Sequence, residues 1–144
     1  MRPDTPTRQL CTFQVDDLLF GIPVESVREL MKPQPMTRVP LSGHAVAGLI
    51  NIRGEIVTAL DVRRRLGLAG TEAPSMNVVL FVRDELASVL VDKIGDVVEV
   101  HDDQFERPPE TLRGSVREVI RGAYKLPNRL LLLLDVPRFV EGCC

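Results

Sequence analysis

Two pairs of stretches in this chain repeat each other, so one supersecondary unit must be built twice. Gly48 to Val62 and Gly122 to Val136 share their length, an opening glycine and a Leu-Asp-Val close. Upstream, Leu10 to Val24 aligns without gaps on Asn77 to Val91. Val15, Asp17, Leu19 and Val24 there meet Val82, Asp84, Leu86 and Val91 as identical partners. The match continues downstream, with Val24, Val27 and Leu30 falling on Val91, Ile94 and Val97. Each stretch is an apolar run, a polar break and a second apolar run, which is the pattern of a β-hairpin. The breaks fall at Asp16-Asp17, at Gly54, at Arg83-Asp84-Glu85 and around Pro127-Asn128.

Between the hairpins the signals differ. Val24, Val27, Leu30 and Met31 recur at helical spacing, which predicts a short amphipathic helical turn ended by Pro33 and Pro35. In the second half, Gly95 and the alternation of Val98 and Val100 predict strand instead. Asp61 is placed to cap a short helix. Val62 and Leu66 would face inward, Arg63, Arg64 and Arg65 would face water, and Gly67 would end it. Residues 68–76 read as a linker and residues 101–114 as a loop with at most one helical turn. The expected organisation is an N-terminal tail over 1–9, one domain over 10–140 and a C-terminal tail over 141–144. Within the domain, lobe one spans 10–67 and lobe two spans 77–140. A lobe of about 65 residues buries only about 60% of its unfolded surface and is marginal alone. The apolar runs Leu49-Ile50-Ile52, Ile56-Val57-Leu60 and Leu130 to Leu134 exceed what one small barrel interior needs. Lobe-against-lobe packing is therefore expected, with a groove at the seam.

Charge and composition exclude several classes. A net charge of −2 argues against a general binder of phosphate backbones. Five Phe, one Tyr and no Trp leave few platforms for base stacking. The longest uninterrupted apolar run, Leu130 to Leu134, is far shorter than the ~20 residues that span a bilayer. The polar N-terminus has no signal-peptide core. Cys11 lies in a strand-like run and reads as core. Adjacent Cys143 and Cys144 form no disulfide framework, so a reducing compartment is expected; the pair reads either as an exposed tail or as a lipid acceptor. His44 and His101 lack partners at metal-ligand spacing. Asp92 and Asp96 read as solvated surface rather than as an acid–base pair. No nucleophile elbow, zinc-helix or phosphate-loop motif is present.

Polar residues near the first repeat carry two readings each. The Arg63 to Arg65 run is either a solvated face or a patch for an acidic partner. Arg53, at a turn beside Gly54, can offer its planar fork to another chain or latch onto a neighbouring loop. Glu29 can pair internally with Arg28 or Lys32, or face a partner.

The stretch Gly48 to Arg63, with Asn51-Ile52-Arg53-Gly54 and the Leu60-Asp61-Val62-Arg63 close, resembles the signature of CheW-like proteins. These are the coupling proteins of bacterial chemotaxis. Phe20 to Leu30, Val91 to Val97 and Arg129 to Asp135 are similar to other family segments, in the same order. Departures are small: Thr58 stands where many members have Pro, Val62 where Leu is usual, and Pro127-Asn128 replaces a Gly-Asp-like turn. The resemblance implies a mainly β fold of two intertwined SH3-like five-stranded barrel lobes with a few short helices. It implies a non-catalytic, cytoplasmic adaptor without cofactor or metal, associated with receptor arrays at the inner membrane. Its partners would be the cytoplasmic tip of chemoreceptors and the regulatory domain of a CheA-type histidine kinase. No nucleic acid and no membrane insertion are implied. The partner-binding residues carried over are Val27, Glu29, Gly48, Asn51, Arg53, Gly54 and Val97. A chain of 144 residues starting with Met is expected to be the free-standing adaptor. Rival expectations are an adaptor of a related kinase pathway such as twitching motility, a small β-barrel enzyme and a purely structural subunit.

Overall fold

The apolar runs fold as strands, and three of the four polar breaks become two-residue turns. The computed structural model describes residues 6–40, 42–68 and 76–143. Its strands in the first half are β1 (Thr7–Val15), β2 (Leu18–Pro23), β3 (Val27–Met31), β4 (Val46–Ile52) and β5 (Glu55–Asp61). The second half supplies β6 (Met76–Val82), β7 (Glu85–Val91), β8 (Lys93–His101), β9 (Phe105–Glu106), β10 (Ile120–Lys125) and β11 (Leu130–Leu134). Short helices are α1 (Val62–Leu66), α2 (Ser115–Glu118) and α3 (Val136–Glu141). At the β4–β5 turn Arg53 and Gly54 have φ of 53° and 89°, and at the β6–β7 turn Arg83 and Asp84 have φ of 49° and 68°. Two left-handed residues in succession give the turn whose twist matches that of the strands it joins.

The two halves are not the two sheets. One sheet runs β3-β6-β7-β5-β4 and the other β8-β1-β2-β11-β10-β9. Each sheet therefore takes the first hairpin of one half and the second hairpin of the other. Parallel pairings seal the exchange: Phe20 lies beside Leu132, and the repeat-equivalent residues Ala87 and Thr58 lie beside each other. This corrects the sequential division into 10–67 and 77–140. A hairpin's local pattern is satisfied in either sheet, so only long-range packing chooses.

Other boundaries shift as well. Thr7, Arg8 and Gln9 pair with β8 and belong to the sheet rather than to a tail. The helical turn predicted over Val24 to Met31 shrinks to a 3-10 turn at Val24–Ser26, and Val27–Met31 pairs with β6 instead. Tertiary pairing overrode a weak spacing signal over β-branched and long apolar residues. At the C-terminus α3 continues to Glu141, and Cys143 is buried, its Sγ donating to the Phe139 carbonyl at 3.2 Å. The exposed-tail expectation is overturned for Cys143; Cys144 and most of the 68–76 linker lie outside the described residues.

Alternation along the strands explains the long apolar runs. Leu132 and Leu134 join the largest apolar cluster, with Phe13, Phe20, Leu80 and Val89, and that cluster includes residues of both sheets. Leu131 and Leu133 point the other way, into a small cluster with Leu10, Val100 and Tyr124. In the five-stranded sheet Val78 and Leu80 join the shared cluster, while Val79 meets Ile50, Ile52 and Val57. Strands buried on both faces read as continuous apolar sequence. Lobe-against-lobe packing is thus the central feature of the core.

The helix caps form where the repeat places them. The Asp61 carboxylate accepts from the Arg64 amide at 3.2 Å, and Gly67 ends α1 in the left-handed region at φ 68°. Asp135 caps α3 in the same way through the Arg138 amide at 3.2 Å. We expect Asp61→Ala and Asp135→Ala each to cost about 1 kcal/mol, read by thermal unfolding. The arginine run after Asp61 departs from expectation. Arg63 reaches Asp92, and Arg65 donates through Nε to the Phe139 carbonyl at 3.1 Å. Only Arg64 among the three keeps a half-exposed side chain, at 47%.

Candidate docking edge

The five-stranded sheet is an open ladder whose edge strands are β3 and β4. Side chains join these edges where backbone hydrogen bonds do not. Arg53 Nη2 lies 3.2 Å from Glu29 Oε1, and Arg28 Nη1 lies 3.4 Å from Glu55 Oε1. Both pairs link β3 to the β4–β5 hairpin, at its turn and at the first residue of β5. Met31 of β3 also packs against the cluster of Ile50 and Ile52. The sheet therefore curls until its edges meet, giving an SH3-like lobe closed by side-chain contacts. The expected mainly β architecture of two SH3-like lobes with a few short helices is found, its hydrogen-bonded sheets left open rather than closed, and the partner sheet has six strands instead of five because the two-residue β9 adds to β10.

Within this closure the two readings of Arg53 merge. Its side chain is 74% exposed, whereas that of Glu29 is 19% exposed. Glu29 is the sheltered anchor, paired with Arg53 rather than with Arg28 or Lys32. Its second oxygen, Oε2, is buried without a hydrogen-bond partner. The guanidinium has five N–H donors and most remain turned to solvent. A pair this exposed contributes at most about 1 kcal/mol, so it orients Arg53 more than it stabilises the fold.

The remaining site residues divide into frame and surface. Asn51 Oδ1 accepts from the Gly54 amide at 2.9 Å, which holds the turn that projects Arg53. Gly54 answers a need for positive φ, since a Cβ there would touch nothing within 4 Å. Gly48 answers a need for space: a Cβ would lie 2.7 Å from the Thr37 carbonyl oxygen. That approach permits the paired hydrogen bonds between Thr37 and Leu49, at 2.8 and 2.9 Å. Val27 is half-buried opposite Leu80 and packs against the shared core.

Val97 stands on the other sheet, 56% exposed, opposite Cys11 on β1. Its repeat-equivalent, Leu30, is 45% exposed opposite buried Val78. Paired residues share a sheet face, so both side chains project on the inter-sheet face, at the free edge of their own sheet. Leu30 was not among the predicted contacts, although the repeat alignment that sets it on Val97 already carried the signal. Ile56, beside the Arg53 turn, is 65% exposed and adds apolar surface.

A family model described as the CheW-like domain matches residues 9–143. This chain belongs to the CheW-like family. It is 30% identical over 140 residues to the chemotaxis protein CheW of Treponema pallidum, covering 93% of this chain and 82% of that protein. It is 31% identical over 129 residues to chemotaxis protein CheW of Bacillus subtilis, covering 88% and 83%. Its fold matches the scaffolding protein TtCheW of Thermoanaerobacter tengcongensis with a TM-score of 0.82 at 21% identity, over 90% of this chain and 89% of that one.

Among the described residues there is no group of three or more His, Cys, Asp or Glu placed to hold a metal. Burial pushes the Cys11 thiol up from its ordinary value, away from the reactive thiolate. Among the same residues no helix is long and apolar enough to cross a membrane.

Proposed function

We propose that this CheW-like chain is a non-catalytic adaptor that couples the cytoplasmic tip of chemoreceptors to a CheA-type histidine kinase. It would act in the cytoplasm, within receptor arrays. The observation that carries the reading is the β3 edge. There a sheltered Glu29 holds an exposed Arg53 at the rim, and the neighbouring Leu30 and Ile56 are exposed. A rim of oriented guanidinium and apolar side chains suits a protein partner, and arginine is a frequent anchor of such contacts. Asn51 and Gly54 serve the site by shaping the turn, Gly48 by letting the chain at Thr37 close on β4, Val27 by seating β3, and Val97 by offering apolar contact from the other sheet. Holding two partners at fixed geometry lets receptor state shift the kinase between populations without a chemical step by the adaptor. Each contact can be small, with avidity supplied by repetition.

The test is pairwise and three-way co-sedimentation of this protein, a receptor-tip fragment and a CheA regulatory domain. Bridging is the expected outcome, and a protein that binds neither partner defeats the reading. Arg53→Ala should weaken receptor-tip binding by about 2 kcal/mol, roughly 30-fold, while circular dichroism stays unchanged. Wild-type affinity in that variant would restrict Arg53 to closing the sheet.

A further inference from the structure

We propose that Arg63 is a positioning residue for docking: by clamping Asp92 where the chain passes between sheets, it sets the placement of β8, and with it Val97, on the edge of the six-stranded sheet. The inference rests on the docking reading above.

A single residue makes the passage. β7 ends at Val91 in the five-stranded sheet and β8 starts at Lys93 in the six-stranded one. Asp92, between them, is held from several directions. Arg63 Nε donates to Oδ1 at 3.0 Å and Nη2 to Oδ2 at 2.6 Å. The Asp16 amide donates to Oδ2 at 2.8 Å, and the Asp92 amide donates to the Gln14 carbonyl at 3.1 Å. Arg63 also lies 3.6 Å from an Asp16 carboxylate oxygen. Arg63 belongs to α1, which grows out of β5 in the five-stranded sheet, while Asp16 and Gln14 belong to the other sheet. The pair is sheltered, with side chains 13% and 20% exposed, so solvent screens it little.

β8 has particular need of such a device. It is an edge strand with one ladder neighbour, β1, and its register slips between Cys11 and Phe13. That irregularity lies between Asp92 and Val97. The other passage between sheets, from β2 to β3, is built differently. By the repeat, Pro137 stands where Arg63 stands and Arg83 where Asp16 stands. Pro137 and Arg83 line a groove of about 360 Å³ with Val82, Leu86 and Val140. The pseudo-symmetry is broken at the clamp, which fixes β8 alone.

The test compares Arg63→Lys and Asp92→Asn with Leu132→Ala, a core substitution that removes none of the clamp's hydrogen bonds. Binding to a receptor-tip fragment is read by calorimetry, and amide hydrogen exchange by NMR. Both clamp variants should bind about three- to tenfold more weakly, the tax of a less populated competent placement. Lysine should not rescue, because a point charge cannot occupy both carboxylate oxygens. Amides of Lys93 to Val97 should be accelerated more than those of β5 to β7, which follow only the loss of global stability. Leu132→Ala should quicken exchange throughout and leave affinity unchanged. Folded clamp variants with wild-type affinity, or exchange raised evenly along the chain, would overturn the proposal. If the unmodified protein fails to bind the fragment, the docking reading falls, and the exchange pattern alone decides whether Arg63 sets β8.

Discussion

Phe20→Ala is expected to destabilise this protein by about 4 kcal/mol, the cost of emptying a phenylalanine site in a packed core. Phe20 is fully buried and stacks on Phe13 with ring centroids 5.5 Å apart. It belongs to the exchanged hairpin and to the cluster shared by both sheets. For a chain of this size that loss lowers the melting temperature by roughly 10 °C. The shared cluster also predicts the form of the transition. Tyr124 is the chain's one tyrosine, there is no Trp, and Tyr124 is buried in the six-stranded sheet. Its fluorescence and the far-ultraviolet circular dichroism should shift together in a urea titration. Two separated transitions would mean that the sheets unfold independently and that the exchange of hairpins does not couple them.

Arg63→Met should cost about 3 kcal/mol near neutral pH, because it leaves the sheltered Asp92 carboxylate without its charged partner. Hydrogen bonds from Arg63 are the main cause holding the Asp92 carboxyl below its ordinary value; partial burial opposes them and the Asp16 amide assists. A carboxyl depressed on folding adds stability that is fully present above the unfolded value, about 3.9, and is lost as pH falls through the lower folded value. The gap between wild type and variant should therefore be constant above about pH 5 and shrink below pH 4. Chemical denaturation at a series of pH values measures it. A gap that persists undiminished at pH 2 would assign the effect to packing of the arginine stem.

The helix cap at Asp61, the hairpin turns and the pairing within each hairpin rest on local chemistry, and these were legible. Asp61 caps α1 because a carboxylate one residue before a helix meets a free amide, wherever that helix lies in the fold. Arg53-Gly54 turns because a glycine accepts positive φ between two apolar runs. The docking edge was legible in part. Resemblance pointed to Glu29 and Arg53, but not to their pairing, which depends on a sheet curling until β3 meets the β4–β5 turn. Leu30 was hidden inside a helical spacing that the fold does not use. Asp92 read as solvated, because its partner lies 29 residues away in sequence and in another element.

The amino-acid sequence by itself determined that hairpins would form, where they would turn and that each would occur twice, since neighbouring residues settle those questions over a few ångströms. Which hairpin joins which sheet, which face of Leu130 to Leu134 looks where, and which of three consecutive arginines is sheltered were decided only by the tertiary structure. Those outcomes depend on surfaces brought together from distant parts of the chain, and no local preference distinguishes between sheets that the same repeat can build.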